Sequence, residues 1–175
     1  MDLKIREAVK IALDRLDDLS QWDSLIINRR EPFTYRAFTF VGDDRICLHK
    51  FDPCSEESAF MHPHPWPSEM MVLSGVYEMW VGHSKDLNSK PESVIDVTLS
   101  SGSVYKMHNE LSWHSVRPLT TSYSIMINGL PWKEKHSKAP TTKGKDLDKF
   151  TQEELRNHLD SFRSKLKKED ELVTI

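Results

Sequence analysis

Between Ser24 and Asn128 the chain is a succession of short runs rich in β-branched and aromatic residues, broken every few residues by turn signals. In a strand, successive side chains point to opposite faces, so a half-buried strand shows a period of two. Val94–Leu99 sets Ile95, Val97 and Leu99 on one face, and Ser122–Asn128 does the same with Tyr123, Ile125 and Ile127. Phe33–Phe40 and Ile46–Phe51 flank the turn signal Val41-Gly-Asp-Asp-Arg45. The other strands are expected at 25–27, 60–64, 69–73, 76–82, 104–107 and 113–116. No helical stripe lies between them, which excludes βαβ units and points to an all-β sandwich or barrel.

The two ends of the chain read differently. Ile5, Val9, Ala12, Leu16 and Leu19 draw one stripe, which predicts a helix over 3–19 packed on the outside of a sheet. Thr151-Gln-Glu-Glu154 is a capping box with Phe150 and Leu155 as its hydrophobic staple, and Leu159, Phe162 and Leu166 continue the stripe. A second helix is expected over 151–167, ending near Lys168. The organisation is then an N-terminal helix at 1–22, a β-domain at 23–132, and a linker with a C-terminal helix at 133–175. The Lys-rich run 133–149, with Pro140 and Gly144, has no aromatics interleaved for base stacking. It reads as a solvated connection, as do the polar stretches 52–59 and 83–92.

Composition narrows the functional classes. A length of 175 residues suits one domain with a real core. The net charge of −3 offers no global field for nucleic acid or an anionic membrane. No apolar run reaches the length of a membrane span, and Met-Asp-Leu-Lys-Ile-Arg-Glu reads as a charged helix, not a signal peptide. Cys47 and Cys54 form no Cys-x-x-Cys pair, so two free thiols and a cytoplasmic setting are expected.

The chemistry concentrates in Phe60-Met-His-Pro-His-Pro-Trp-Pro-Ser-Glu69, followed by Met70–Leu73 and the turn Ser74-Gly75. On an extended strand His62 and His64 share a face, and Pro63 and Pro65 hold the residues before them extended. A bend through Trp66-Pro67-Ser68 lets Glu69 swing back toward them. Two exposed histidines in a proline-rich loop is the plainer alternative.

The order His-x-His-x4-Glu-x5-Gly resembles the first motif of the cupin superfamily. Its second motif is matched more loosely by Gly102–His114, where His108 stands in place of the usual Pro, Glu110 in place of a Gly, and the His comes one residue late. The resemblance spans roughly residues 45–130. Together with Gly129-Leu-Pro-Trp132 it also looks like uncharacterised cupin-like proteins of bacteria and phages. It implies a cupin-type double-stranded β-helix, a jelly-roll barrel with flanking helices. It further implies one divalent transition metal on His62, His64 and His114, with Glu69 as fourth ligand or as an acceptor orienting a histidine. His108 is the rival third imidazole, but it falls in a turn, and His83 and His136 are expected in solvent. Iron(II) leads, with zinc, manganese and nickel also suited to such donors.

The function implied is a metal-dependent enzyme acting on a small organic molecule, an Fe(II) dioxygenase first. A small-ligand-binding or sensing cupin, with a structural metal or none, is the second reading, and a metal-dependent isomerase or lyase the third. Trp66, Tyr77 and Tyr105 are candidates to line a substrate pocket, although core is the plainer reading of most aromatics. Arg36, Arg45 and Arg117 could hold a substrate carboxylate, although surface solvation is the simpler account of each. No nucleic acid or membrane partner is expected. Cupins are often homodimers, a role the terminal helices could serve.

Overall fold

The computed structural model describes residues 1–133 and 147–172. Most of the connection expected at 133–149, with Pro140, Gly144 and the solvent position of His136, lies outside the described residues. The elements run α1 (Ile5–Arg15), a 3-10 turn (Leu19–Gln21), β1 (Asp23–Ile27), β2 (Thr34–Val41), β3 (Asp44–Phe51), β4 (His62–Pro63), β5 (Ser68–Ser74), β6 (Val76–His83), β7 (Val94–Ser100), β8 (Val104–Met107), β9 (Ser112–Pro118), β10 (Ser122–Asn128) and α2 (Gln152–Glu171).

The strands form two antiparallel sheets. One is six-stranded in the order β1-β2-β3-β10-β5-β8, the other four-stranded in the order β4-β9-β6-β7. From β3 onward the chain changes sheet at every connection except β6 to β7. This is the cupin-type jelly-roll barrel with a helix at each end that the motif order implies.

The strand pleat divides the larger sheet into two buried faces. Ala37, Ile46, Leu48, Met71, Leu73, Ile125 and Ile127 join the helical residues Ile5, Val9, Leu159, Phe162 and Leu166 in an outer core under α1 and α2. Cys47, Phe51, Met70, Val72 and Met126 point the other way and meet Tyr77, Met79 and Val116 of the smaller sheet in the barrel interior. In β3 the odd-numbered residues therefore face the interior and the even-numbered ones the helices, the alternation that a pleated strand imposes.

The local signals at the ends behave as physical chemistry requires. Thr151 Oγ1 accepts from the Glu154 amide at 3.2 Å, and the Glu154 carboxylate accepts from the Thr151 amide at 2.7 Å. Phe150 packs against the outer core as the staple does. The helix α2 runs three residues past Lys168, to Glu171. The helix α1 is shorter than its stripe, because the Trp22 indole donates to the Arg15 carbonyl at 3.0 Å and the chain turns toward β1. The strand expected at 60–64 keeps only two ladder residues, since Pro63 and Pro65 supply no N–H. Gly75 makes the β5–β6 turn with φ +91°, where a Cβ would come within 2.7 Å of Ser122 Cα. Both cysteines are free. Among the described residues, no helix is long and apolar enough to cross a membrane.

Candidate metal centre

The two-residue strand β4 lies at the edge of the smaller sheet and pairs with β9 so that His62 stands directly opposite His114. Directly opposed residues of an antiparallel pair put their side chains on one face, close together. Both histidines project into the barrel, and His64, two residues after His62, joins them there. The ring centroids lie 4.7 Å apart for His62–His114, 4.5 Å for His64–His114 and 5.5 Å for His62–His64. One ligand nitrogen of each ring falls within 4.8 Å of the other two.

Each of the first two rings is anchored through one nitrogen. His62 Nδ1 is 3.1 Å from the Phe60 carbonyl oxygen, and His64 Nδ1 is 2.9 Å from Ser68 Oγ. That leaves Nε2 of each as the nitrogen for a ligand, the arrangement in which an outer partner sets the tautomer of a metal-binding histidine. His114 is 2 % exposed and its Nδ1 is buried with no protein partner. An orphaned imidazole nitrogen beside two oriented ones is a vacancy in hydrogen bonding that a metal ion fits. Burial lowers the pKa of all three, with His64 falling to about 3 through burial, the neighbouring His62 and the charge of Arg36. The rings are therefore neutral, as metal ligands must be.

The structure does not bring Glu69 to the imidazoles. In β5 the odd-numbered residues Met71 and Leu73 face the helices, and Glu69 shares their side of the strand. Its carboxylate pairs with Lys106, its register partner on β8, at 3.3 Å. The inward place belongs to Ser68, which holds His64. Both faces of this strand are apolar beyond Glu69, so its sequence carries no sign of which parity points inward. His108 is exposed, as is His83, and His114 is the third imidazole of the cluster.

The remaining candidates divide. Tyr105 lies in the interior with its ring 6.0 Å from His114 and its hydroxyl 2.9 Å from Met70 Sδ. Tyr77 is fully buried against Phe51, with ring centroids 5.6 Å apart. Trp66 borders His64 at 6.4 Å and stacks under the Arg45 guanidinium at 5.0 Å. Arg117 is not at the site: it lies on the outer face of β9, paired to Glu78 at 2.7 Å and Glu56 at 3.8 Å. Arg36 and Arg45, for which surface solvation was the simpler account, are instead interior groups. Arg36 Nε donates to His49 Nε2 at 2.6 Å. His49, 1 % exposed, is the interior residue that the sequence reading passed over. Its parity with Cys47 and Phe51 was the available signal, but it needed the inward face of β3 to be known.

No protein-family model and no curated protein matches the sequence. Solved structures do match in fold. HppE in its iron(II) form aligns over 73% of this chain and 77% of its own at 13% identity, with a TM-score of 0.50. HppE with iron(II) and the alternative substrate (S)-1-HPP aligns over 62% of this chain at 12% identity and TM-score 0.48, and there this chain spans just over half, 56%, of the other. An RmlC-like cupin from Shewanella frigidimarina aligns over 63% of this chain and 86% of its own at 17% identity, with a TM-score of 0.45. At these identities the likeness is one of fold.

Proposed function

We propose that this protein is a metal-dependent enzyme of cupin fold acting on a small organic molecule, with one divalent transition metal on His62, His64 and His114. The observation that carries the reading is the cluster itself: three neutral imidazoles with ligand atoms within 4.8 Å, two anchored at Nδ1 and the third with an orphaned nitrogen. Three protein ligands leave coordination positions open, which separates a catalytic site from a closed structural one.

Iron(II) is the first metal to test, since the fold match at a TM-score of 0.50 is to an iron(II) protein. The chemistry that iron(II) supplies in such a site is the activation of O2 beside a bound substrate, which favours a dioxygenase. The protein's own part is to orient and to exclude water. The Phe60 carbonyl and Ser68 hydroxyl fix two rings, and Tyr105, Tyr77, Phe51, Met70 and Met126 wall the interior. The turning away of Glu69 favours a second reading. A set of three imidazoles without a carboxylate also suits zinc, and with it a redox-neutral isomerase or lyase.

The test is metal analysis of protein purified without added metal, followed by an O2-uptake screen of small organic molecules. One equivalent of metal in the wild type, lost in His62→Ala and His114→Ala and kept in His108→Ala, supports the site. Unchanged metal in the first two variants removes it. Iron with substrate-dependent O2 uptake supports the dioxygenase, and zinc with no uptake supports the alternative.

A further inference from the structure

The barrel interior holds positive charge that, among the described residues, no carboxylate answers. Arg36 on β2 and Arg45 on β3 both face inward, by the parity of Phe38 and Cys47 respectively. Arg45 lies over the rings of Phe38 at 5.6 Å and Trp66 at 5.0 Å, and its Nε is buried without a partner. Among the described residues neither guanidinium is paired with a carboxylate; the acidic groups near the site, Glu69 and Glu78, are held on outer faces by Lys106 and Arg117. The two cations are close enough to disfavour one another: burial and then the charge of Arg45 lower the pKa of Arg36. Two like charges half-buried against apolar surface are costly unless something of opposite sign joins them.

His49 adds a donor to the same group. A guanidinium Nε can only donate, so the 2.6 Å contact makes His49 Nε2 the acceptor. The ring is then neutral with its proton on Nδ1, and that Nδ1 is buried and has no protein partner. The cluster offers two guanidiniums and an imidazole N–H and supplies no oxyanion to receive them. It adjoins the three-histidine site: Trp66 lies under Arg45 at 5.0 Å and borders His64 at 6.4 Å, and the Arg36 cation helps lower the His64 pKa. Phe38, Phe51, Met126 and Tyr105 provide apolar surface around it.

We infer that Arg36, Arg45 and His49 form an oxyanion subsite that holds the acid head group of a small organic anion, its apolar body lying toward the three histidines. This names the substrate class for the proposed site and rests on reading the barrel interior as a substrate chamber. The head group is a carboxylate or a phosphoryl group, since both match a guanidinium fork.

The experiment is calorimetric titration of the metal-free full chain, repeated on the zinc-loaded protein, with benzoate, phenyl phosphate and neutral benzamide as probes. At least one of the two anions is expected to bind wild type while benzamide does not, and the tighter anion identifies the head group. Arg36→Gln and Arg45→Gln should each weaken that anion by about 10- to 100-fold, as loss of a charged hydrogen bond implies. Arg117→Gln, on the outer face, should leave it unchanged. If a glutamine variant misfolds by circular dichroism, Arg36→Lys, which keeps the charge and loses the fork, takes its place and should still bind at least several-fold more weakly. Absence of binding by both anions, equal binding of benzamide, or full affinity in both arginine variants overturns the proposal. His114→Ala separates it from the metal reading: anion binding retained there with metal lost supports the subsite alone, whereas wild-type protein that binds metal and neither anion sinks the subsite alone.

Discussion

The strand parity of β5 makes Ser68 and Glu69 a matched pair of perturbations with opposite expected effects. Ser68→Ala removes the 2.9 Å contact that fixes His64, a hydrogen bond with a net worth of about 1 kcal/mol. That is a factor of roughly five to ten in a binding constant, at the low end of the 10- to 100-fold typical when a partner of a metal-binding histidine is removed. Glu69→Gln should leave metal affinity within about twofold, because its carboxylate faces Lys106 on the other side of the sheet. Its stability cost should stay near or below about 1 kcal/mol, since Lys106 is half-exposed and water screens the pair. The assay is competition of zinc between the protein and a chromophoric chelator, above the pH range in which free histidine titrates. Should Glu69→Gln lose metal as His114→Ala does while Ser68→Ala loses none, the carboxylate is a ligand and the inward face of β5 has been assigned backwards.

Three further outcomes follow from packing and charge. His158, buried between Phe150 and Phe162, has its pKa lowered to about 4 by burial, so the unfolded chain binds its proton first as pH drops from 6.5 toward 4. Stability should therefore fall through that window, by roughly 3 kcal/mol from this residue at its acid end, and melting of His158→Phe should show a shallower pH dependence than wild type. Phe162→Ala deletes a fully buried ring set edge-to-face with Tyr123 at 5.2 Å and should cost about 3–5 kcal/mol in urea unfolding, with an unchanged m-value. Gly75→Ala forces a Cβ against Ser122 at a positive φ and should lower the melting temperature by several degrees, corresponding to more than about 1 kcal/mol; an unchanged melting point would mean that the β5–β6 turn is made differently.

Much of the architecture was legible because period and punctuation are local. The alternation of Ile95, Val97 and Leu99, the turn at Gly42 and the capping box at Thr151 each report on a few neighbouring residues, and the elements appear where those signals lie. His62 and His64 were legible for the same reason: i and i+2 share a face whatever surrounds them. His114 came from motif order and is confirmed as a neighbour by its register with His62. Glu69, Arg36 and His49 were not readable, and the cause is common to all three. The larger sheet is buried on both faces, one under the helices and one in the barrel, so hydrophobicity marks the strands without marking an inside. Which parity faced the interior depended on contacts between residues more than a hundred positions apart, such as His158 with Leu48. The acid range of the site shifted for a similar reason. Free histidine would give up metal near pH 6.5, but burial of His62, His64 and His114 keeps the rings neutral further down.

The brevity of β4 gives the three histidines a mechanical role. Two ladder positions, the second of them Pro63, pair the 54–66 segment with β9, and single main-chain bonds at Cys54 and Pro65 hold its ends. An ion shared by His62, His64 and His114 would clamp that segment to β9 through its side chains, across the place where the backbone ladder stops. Loading the site and closing the barrel's edge would then be one event, and the loop carrying Trp66 over Arg45 would be drawn in with it. Amide hydrogens along this edge would then exchange at a rate set by free metal concentration, while those of β3 and β10, paired along seven residues, would not respond.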